Sequence, residues 1–317
     1  MRKFESLIRM SLLWLCVLVA VPAASQTIID LNKGAVRVRS KNLHDFDVEN
    51  KHPEALREDS LQYADNLKRA FNFLYTDSLA QAETLLRDCL KLRPDARGNW
   101  VVRRTLGQIY LGQERYKEAI SEFTSILRMQ PENRDVRMER ASAYLNFGNA
   151  RAALQDCDVM MLADMPDSTL VRILFLRAAA KMQLRTYSEA RQDLARVVEL
   201  DPENTNAPIL LALALYRDGR PQEALQRLDV FIGQHPDDVE ALAMRANLLK
   251  HQERWGEALA DYDRMLTLQP DNRTYRVSRA EVHLQMGSKA EARRDLDKAV
   301  QLGLPRASLQ SLYQQCR

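Results

Sequence analysis

The chain has 317 residues, with 46 Lys and Arg set against 43 Asp and Glu. So even a balance excludes nucleic acid as the main partner, because phosphate contacts call for a basic excess. Four cysteines and five histidines are too sparse for a disulfide scaffold, and no histidine spacing suits a metal.

The first 25 residues differ in kind from the rest. Arg2, Lys3 and Arg9 give a basic start, Ser11 to Val21 is apolar, and Pro22-Ala23-Ala24-Ser25 offers small residues for cleavage. This order predicts a secretory signal peptide over 1–25, with Gln26 as the first mature residue. The apolar run falls well short of the roughly twenty residues needed to span a bilayer. A lipoprotein signal needs small residues before its cysteine, and Leu13-Trp14-Leu15-Cys16 lacks them. The mature chain is therefore expected to be exported and not membrane-spanning, in a bacterial periplasm before a secreted or ER-lumen setting. Removing Arg2, Lys3, Arg9 and Glu5 leaves 43 basic and 42 acidic residues.

Residues 26–62 read as a polar, partly flexible lead. Asn32-Lys33-Gly34 and the stretch from Asn42 to Pro53 are rich in turn and charged types. Val36-Arg37-Val38-Arg39 has the makings of a strand laid on a partner. No sustained period-two alternation appears, so no sheet is predicted. A helix is expected from Pro53, since Leu56, Leu67, Ala70 and Phe71 keep helical phase.

From there to residue 306 one pattern recurs. Seven times a small residue is followed by an alanine twelve positions on: Ala70/Ala82, Gly107/Ala119, Ala141/Ala153, Ala178/Ala190, Ala212/Ala224, Ala246/Ala258 and Ala280/Ala292. Successive pairs are 34 or 37 residues apart, and a proline trails each of them. A repeat of that length predicts a solenoid, which offers a surface for holding something rather than a pocket for chemistry. Each unit should be two short helices that cross where only Gly or Ala fits, with Leu86, Phe123, Leu194, Leu228 and Tyr262 filling the space beside the crossing. Proline ends the second helix of each unit. Gly148, Gly219 and Gly287 fall at the turn between the helices, where positive φ is easiest for glycine.

The unit from Trp100 to Asn133 carries Leu106-Gly107, Tyr110, Ala119, Phe123 and Pro131. This resembles the tetratricopeptide repeat, with Arg103 where that pattern has Trp. The same register gives units 63–96, 100–133, 134–167, 171–204, 205–238, 239–272 and 273–306, with extra residues at 97–99 and 168–170. The resemblance implies an all-α fold, a right-handed α-solenoid or superhelix of seven such units, closed by a cap helix over 307–317. Leu309, Leu312 and Tyr313 would cover the last apolar face.

The pairs Arg140/Asp156, Arg177/Asp193, Arg245/Asp261 and Arg279/Asp295 are each sixteen residues apart. They read as ion pairs across one helical hairpin, worth about 0–1 kcal/mol each if exposed. An anion-binding arginine ladder is the alternative. Leu211 and Arg227 replace the pair in the fifth unit. Cys89 and Cys157 lie on core-facing positions a whole repeat apart, too far for a bridge, and Cys316 sits near the tail. Asp77-Ser78-Leu79 and Asp167-Ser168-Thr169, like Asp59-Ser60-Leu61, fit an O-glycan acceptor pattern, and helix capping accounts for Ser78 and Ser168 equally well.

No phosphate loop, nucleophile elbow or metal-ligand spacing appears, so the chain is read as non-catalytic and without a cofactor. The resemblance implies that the concave groove takes the ligand. It would be lined by Met138, Leu145, Phe175, Met182, Ile209, Leu213, Tyr216, Asn247 and Lys250. The expected partner is an apolar peptide or helix of another protein. A transient chaperone or assembly factor, and an accessory subunit of a cell-wall or secretion enzyme, are the alternatives. Arg104 and Gln108 begin the family's clamp for a carboxylate terminus, but Glu139 and Leu176 break it.

Overall fold

The structure, a computed structural model, describes residues 27–30, 35–38 and 54–317, with side chains from residue 58 onward. The predicted signal peptide and most of the lead lie outside the described residues. Within the lead, β1 (Thr27–Asp30) pairs antiparallel with β2 (Ala35–Val38), Thr27 opposite Val38. This corrects the expectation of no sheet. Four residues are too few for alternation to register, and the signal lay instead in the turn chemistry of Asn32-Lys33-Gly34 between them.

Helices follow in pairs. They are α1 (Glu54–Tyr75) and α2 (Leu79–Leu92), α3 (Asn99–Gly112) and α4 (Tyr116–Met129), then α5 (Arg134–Phe147) and α6 (Ala150–Met160). Next come α7 (Asp167–Gln183) and α8 (Tyr187–Leu200), α9 (Asn206–Arg217) and α10 (Pro221–Gln234), and α11 (Val239–His251) and α12 (Trp255–Leu268). The last pair is α13 (Arg273–Gln285) and α14 (Lys289–Gln301), followed by a 3₁₀ turn (Arg306–Leu309) and the short α15 (Gln310–Gln315). The fold is an all-α helical-repeat solenoid. Two compact units divide it, the first ending at Arg185 and the second running Thr186–Arg317. No helix among the described residues is long and apolar enough to cross a membrane.

All fourteen small residues of the repeating pattern are buried. At Gly107 the reason is visible in one distance: a Cβ there would stand 2.5 Å from Cε1 of Phe123. Phe123 itself has no exposed surface. Leu86, Leu194, Leu228 and Tyr262, at the same register, are equally enclosed. Each such side chain contributes about 1.5–3 kcal/mol by leaving water. In the first unit Leu74, Leu86, Leu106, Phe123 and Ile126 form one core, and Met138, Leu145, Cys157, Met160 and Ile173 belong to another. In the second, Leu309, Leu312, Tyr313 and Cys316 pack against Ala292, Leu296 and Ala299, so the 3₁₀ turn and α15 cover the final pair. Cys89 and Cys157 are buried and in no disulfide, and burial pushes the Cys89 pKa up to about 11.

The punctuation between repeats serves two helices at once. Gln130-Pro131-Glu132-Asn133 stops α4, and Asn133 then accepts the backbone N–H of Val136 as the N-cap of α5. Its side-chain amide donates back to Gln130 at 2.9 Å. Asn204 and Asn272 repeat the arrangement ahead of α9 and α13. Each cap is worth about 1 kcal/mol. Ser78 occupies the N-cap of α2 without a side-chain cap bond, and Ser168 lies inside α7, so capping explains neither serine. Between the two helices of a pair the chain turns through positive φ at Gly148, Gly219 and Gly287, as expected, and equally at Asp77, Glu114, Arg185 and Glu253. Those four hold a left-handed conformation that strains non-glycine residues.

Three of the four arginines in the series form ion pairs within their hairpins. Arg140, Arg245 and Arg279 each grip Asp156, Asp261 and Asp295 with Nε and Nη2, at 2.5–3.0 Å. The aspartates are only 3–4% exposed, so these are not surface pairs. Burial pushes the Asp261 carboxyl up while Arg245 pulls it down. Each arginine also reaches the preceding repeat through Nη1: Arg140 to Thr124 at 3.2 Å, Arg245 to Asp229 at 2.8 Å, and Arg279 to Asp263 at 2.7 Å.

Gly107→Ala should destabilise the protein by about 1–3 kcal/mol through overpacking against Phe123, against a helix-propensity gain of only about 1 kcal/mol. Urea unfolding that shows equal or greater stability would mean the Phe123 ring has room to move.

Asp261→Ala should lower stability by about 1–3 kcal/mol, because it leaves Nε and Nη2 of the partly buried Arg245 without their acceptor. Glu257→Ala removes a bidentate pair of similar geometry with Arg254, but on an exposed face, and should leave the unfolding midpoint unchanged within error. Equal losses in the two variants would overturn the assignment of burial as the deciding factor.

Candidate partner-binding surface

The first helix of each pair carries the side chains expected to meet a ligand. Five of the nine are withdrawn into packing. Met138, Leu145, Phe175, Ile209 and Leu213 are 2–8% exposed, so a partner cannot reach them without opening the repeats. The sequence reading placed them on the ligand face because it read each helix alone. Met138 and Leu145 instead join Leu176 and Ala179 in one core. Met182, Tyr216, Asn247 and Lys250 remain partly accessible.

In the first unit a polar cluster sits on α3, α5 and α7. Arg104 lays Nε and Nη2 on the Glu139 carboxylate at 3.0 and 2.7 Å, and Gln108 donates to the same carboxylate at 2.9 Å. The chain's own carboxylate therefore satisfies the donors that begin the clamp pattern. Leu176, where the clamp would have a cation, is buried. Arg172 completes the group. Burial draws its pKa down, Arg104 adds to that, and Asp135 and Glu139 oppose it. Its Nε is enclosed and makes no hydrogen bond. With two guanidiniums and two carboxylates, the cluster is close to neutral and is structured from within.

In the second unit α9, α11 and α13 present a mixed aromatic and polar surface. The rings of Tyr216 and His251 stack with centroids 5.9 Å apart and planes inclined at 29°. Burial lowers the His251 pKa, and Lys250 and Arg217 lower it further, which keeps the imidazole neutral against the phenol ring near pH 7. Lys250 pairs with Glu281 at 2.9 Å and lies 5.9 Å from the Tyr262 ring centroid. The Tyr262 hydroxyl faces Asn247 Oδ1 at 3.4 Å. Sequence reasoning found Tyr216, Asn247 and Lys250 but missed His251 and Glu281. The signal was available in spacing, since His251 lies 35 residues beyond Tyr216, one repeat plus one.

Comparison with known proteins places this geometry in context. One tetratricopeptide repeat family model matches residues 181–248, and a second matches 104–160 and 243–308. The mitochondrial import receptor subunit TOM70 of Mus musculus is 27% identical over 236 residues, covering 61% of this chain and 38% of that protein. RNA polymerase II-associated protein 3 of Homo sapiens is 33% identical over 129 residues, covering 39% of this chain and 19% of the other. The chain thus spans well under half the length of these relatives. A tetratricopeptide repeat protein from Parabacteroides merdae aligns in structure with a TM-score of 0.64 at 23% identity, over 81% of this chain and 99% of the other. Together with the buried small-residue crossings, these matches settle the family: the chain belongs to the tetratricopeptide repeat proteins.

Proposed function

We propose that this protein is a non-catalytic scaffold that works outside the cytosol and holds a segment of a partner protein. Membership of the repeat family supports protein binding as its task. The observation that carries the finer reading is the accessible Tyr216–His251 stack beside Lys250 and Asn247. Aromatic side chains with a polar edge supply much of the binding energy at protein interfaces. The burial of Leu213, Ile209 and Phe175 makes the contact surface amphipathic rather than purely apolar, so the fitting partner is a helix or peptide with both kinds of side chain. One relative bears the name of an import receptor subunit, which accords with capture rather than catalysis. Export rests on the basic, apolar, small-residue order of residues 1–25.

Tyr216→Ala with His251→Ala should weaken partner capture by roughly thirtyfold, taking about 2 kcal/mol for a first-rank contact and about tenfold per 1.4 kcal/mol. The melting temperature should barely change, since both rings are partly exposed. A photocrosslinker at Lys250 should yield a partner adduct in cells, while one at exposed Arg196 on α8 should not. Undiminished capture by the folded double variant would remove the second unit's first-helix face as the binding surface.

Export is checked separately. N-terminal sequencing should find a mature chain that begins at Gln26, and Met1 retained in a membrane fraction would overturn it.

A further inference from the structure

Four repeat junctions share one device, in which an arginine on the first helix of a repeat meets an acceptor on the second helix of the repeat before it. Thr124–Arg140 and Asp158–Arg177 occur in the first unit, Asp229–Arg245 and Asp263–Arg279 in the second. At the junction of α8 with α9 the same register holds Ala195 and Leu211, and the aspartate that would grip the arginine is Arg227. All three members are exchanged together, and Leu211 is only 5% exposed. The same junction carries a second irregularity. Arg191 on α8 stands 3.6 Å from Asp218, the C-cap residue of α9, and its enclosed Nε makes no hydrogen bond.

We infer that the α8–α9 junction is a slip plane, a place where successive repeats of the second unit shift against one another while the α10–α11 and α12–α13 junctions of that unit hold register. At the three regular hairpins two guanidinium nitrogens are held by the hairpin's own aspartate, which aims the third, Nη1, at one acceptor on the preceding repeat, whereas contact between Leu and Ala has no such direction. The difference is one of orientation rather than strength, because the aspartates that cross the junctions are half-exposed and such pairs add little stability. Movement of α9 by less than an ångström would bring Asp218 to the ordinary hydrogen-bond distance of about 2.9 Å from Arg191 Nε. The junction therefore has two arrangements on offer, one with that bond open, as seen, and one with it made. Tyr216 rides on α9, so the slip moves the aromatic contact of the proposed binding surface. That consequence rests on the proposed function; the slip itself does not.

The test needs no partner. Nitroxide labels at exposed Gln192 and Ala260 span the α8–α9 junction and the next one, and labels at exposed Gln226 and Arg294 span the following two. Both pairs are 68 residues apart, on equivalent positions of second helices, and share the α10–α11 junction, so they differ only in α8–α9 against α12–α13. Double electron–electron resonance should give a wider or two-peaked distance distribution for 192/260 than for 226/294. Rebuilding the bridge with A195D, L211R and R227D should narrow it. Should that triple variant not fold, the reverse transplant D229A, R245L and D261R should widen the 226/294 distribution instead. Equal widths in the otherwise unaltered protein would overturn the inference. So would a folded triple variant without narrowing, or a folded transplant without widening.

Discussion

The approach of two helices to near contact is the constraint on which this protein depends. At Gly107 the facing ring leaves no room for a methyl group, and the corresponding alanines in the other pairs are fully enclosed. That closeness lets a pair of helices barely four turns long bury the large side chain beside the crossing. A short helix on its own is marginal in water, so its stability comes from packing. Everything outward from the crossing follows: the length of each helix, the left-handed turn between them, and the proline that ends the second.

The second organising force is directional. Burial of Asp156, Asp261 and Asp295 makes each arginine fork a device for fixing how one hairpin is set, and its spare nitrogen extends that setting to the repeat before. Apolar packing says how close two helices lie; these bonds say at what angle and offset. Where they are exchanged for Leu211 and Ala195, closeness persists without that instruction.

The fold was legible because its constraint leaves a mark at every repeat. A position that admits only Gly or Ala shows itself at Ala70, Gly107 and Ala141 alike, and seven repetitions make chance agreement untenable. The surface was less legible for a matching reason. Whether Phe175 or Leu213 faces a ligand depends on what the neighbouring helices cover, which no spacing within one helix records. Arg140 and Asp156 were visible as a pair, but the reach to Thr124 joins two repeats and depends on how they stack. His251 escaped notice because its ring partner lies on a different helix, and the β1–β2 hairpin because its strands are too short to alternate.

The shared exit and cap has a consequence for how such a chain can grow. Asn133, Asn204 and Asn272 close one repeat and open the next, so a tandem duplication of 34 residues, cut in any frame, copies a complete set of stop, cap and crossing. Each first helix added by this route arrives with its cap already in the copied segment. The two joints with three extra residues behave otherwise. There α3 and α7 begin at Gly98 and Pro166 with no side-chain cap, and Asn99 turns back to the carbonyls of Arg93 and Pro94. Those joints are scars rather than seams: a segment copied across one of them carries no cap of the shared kind.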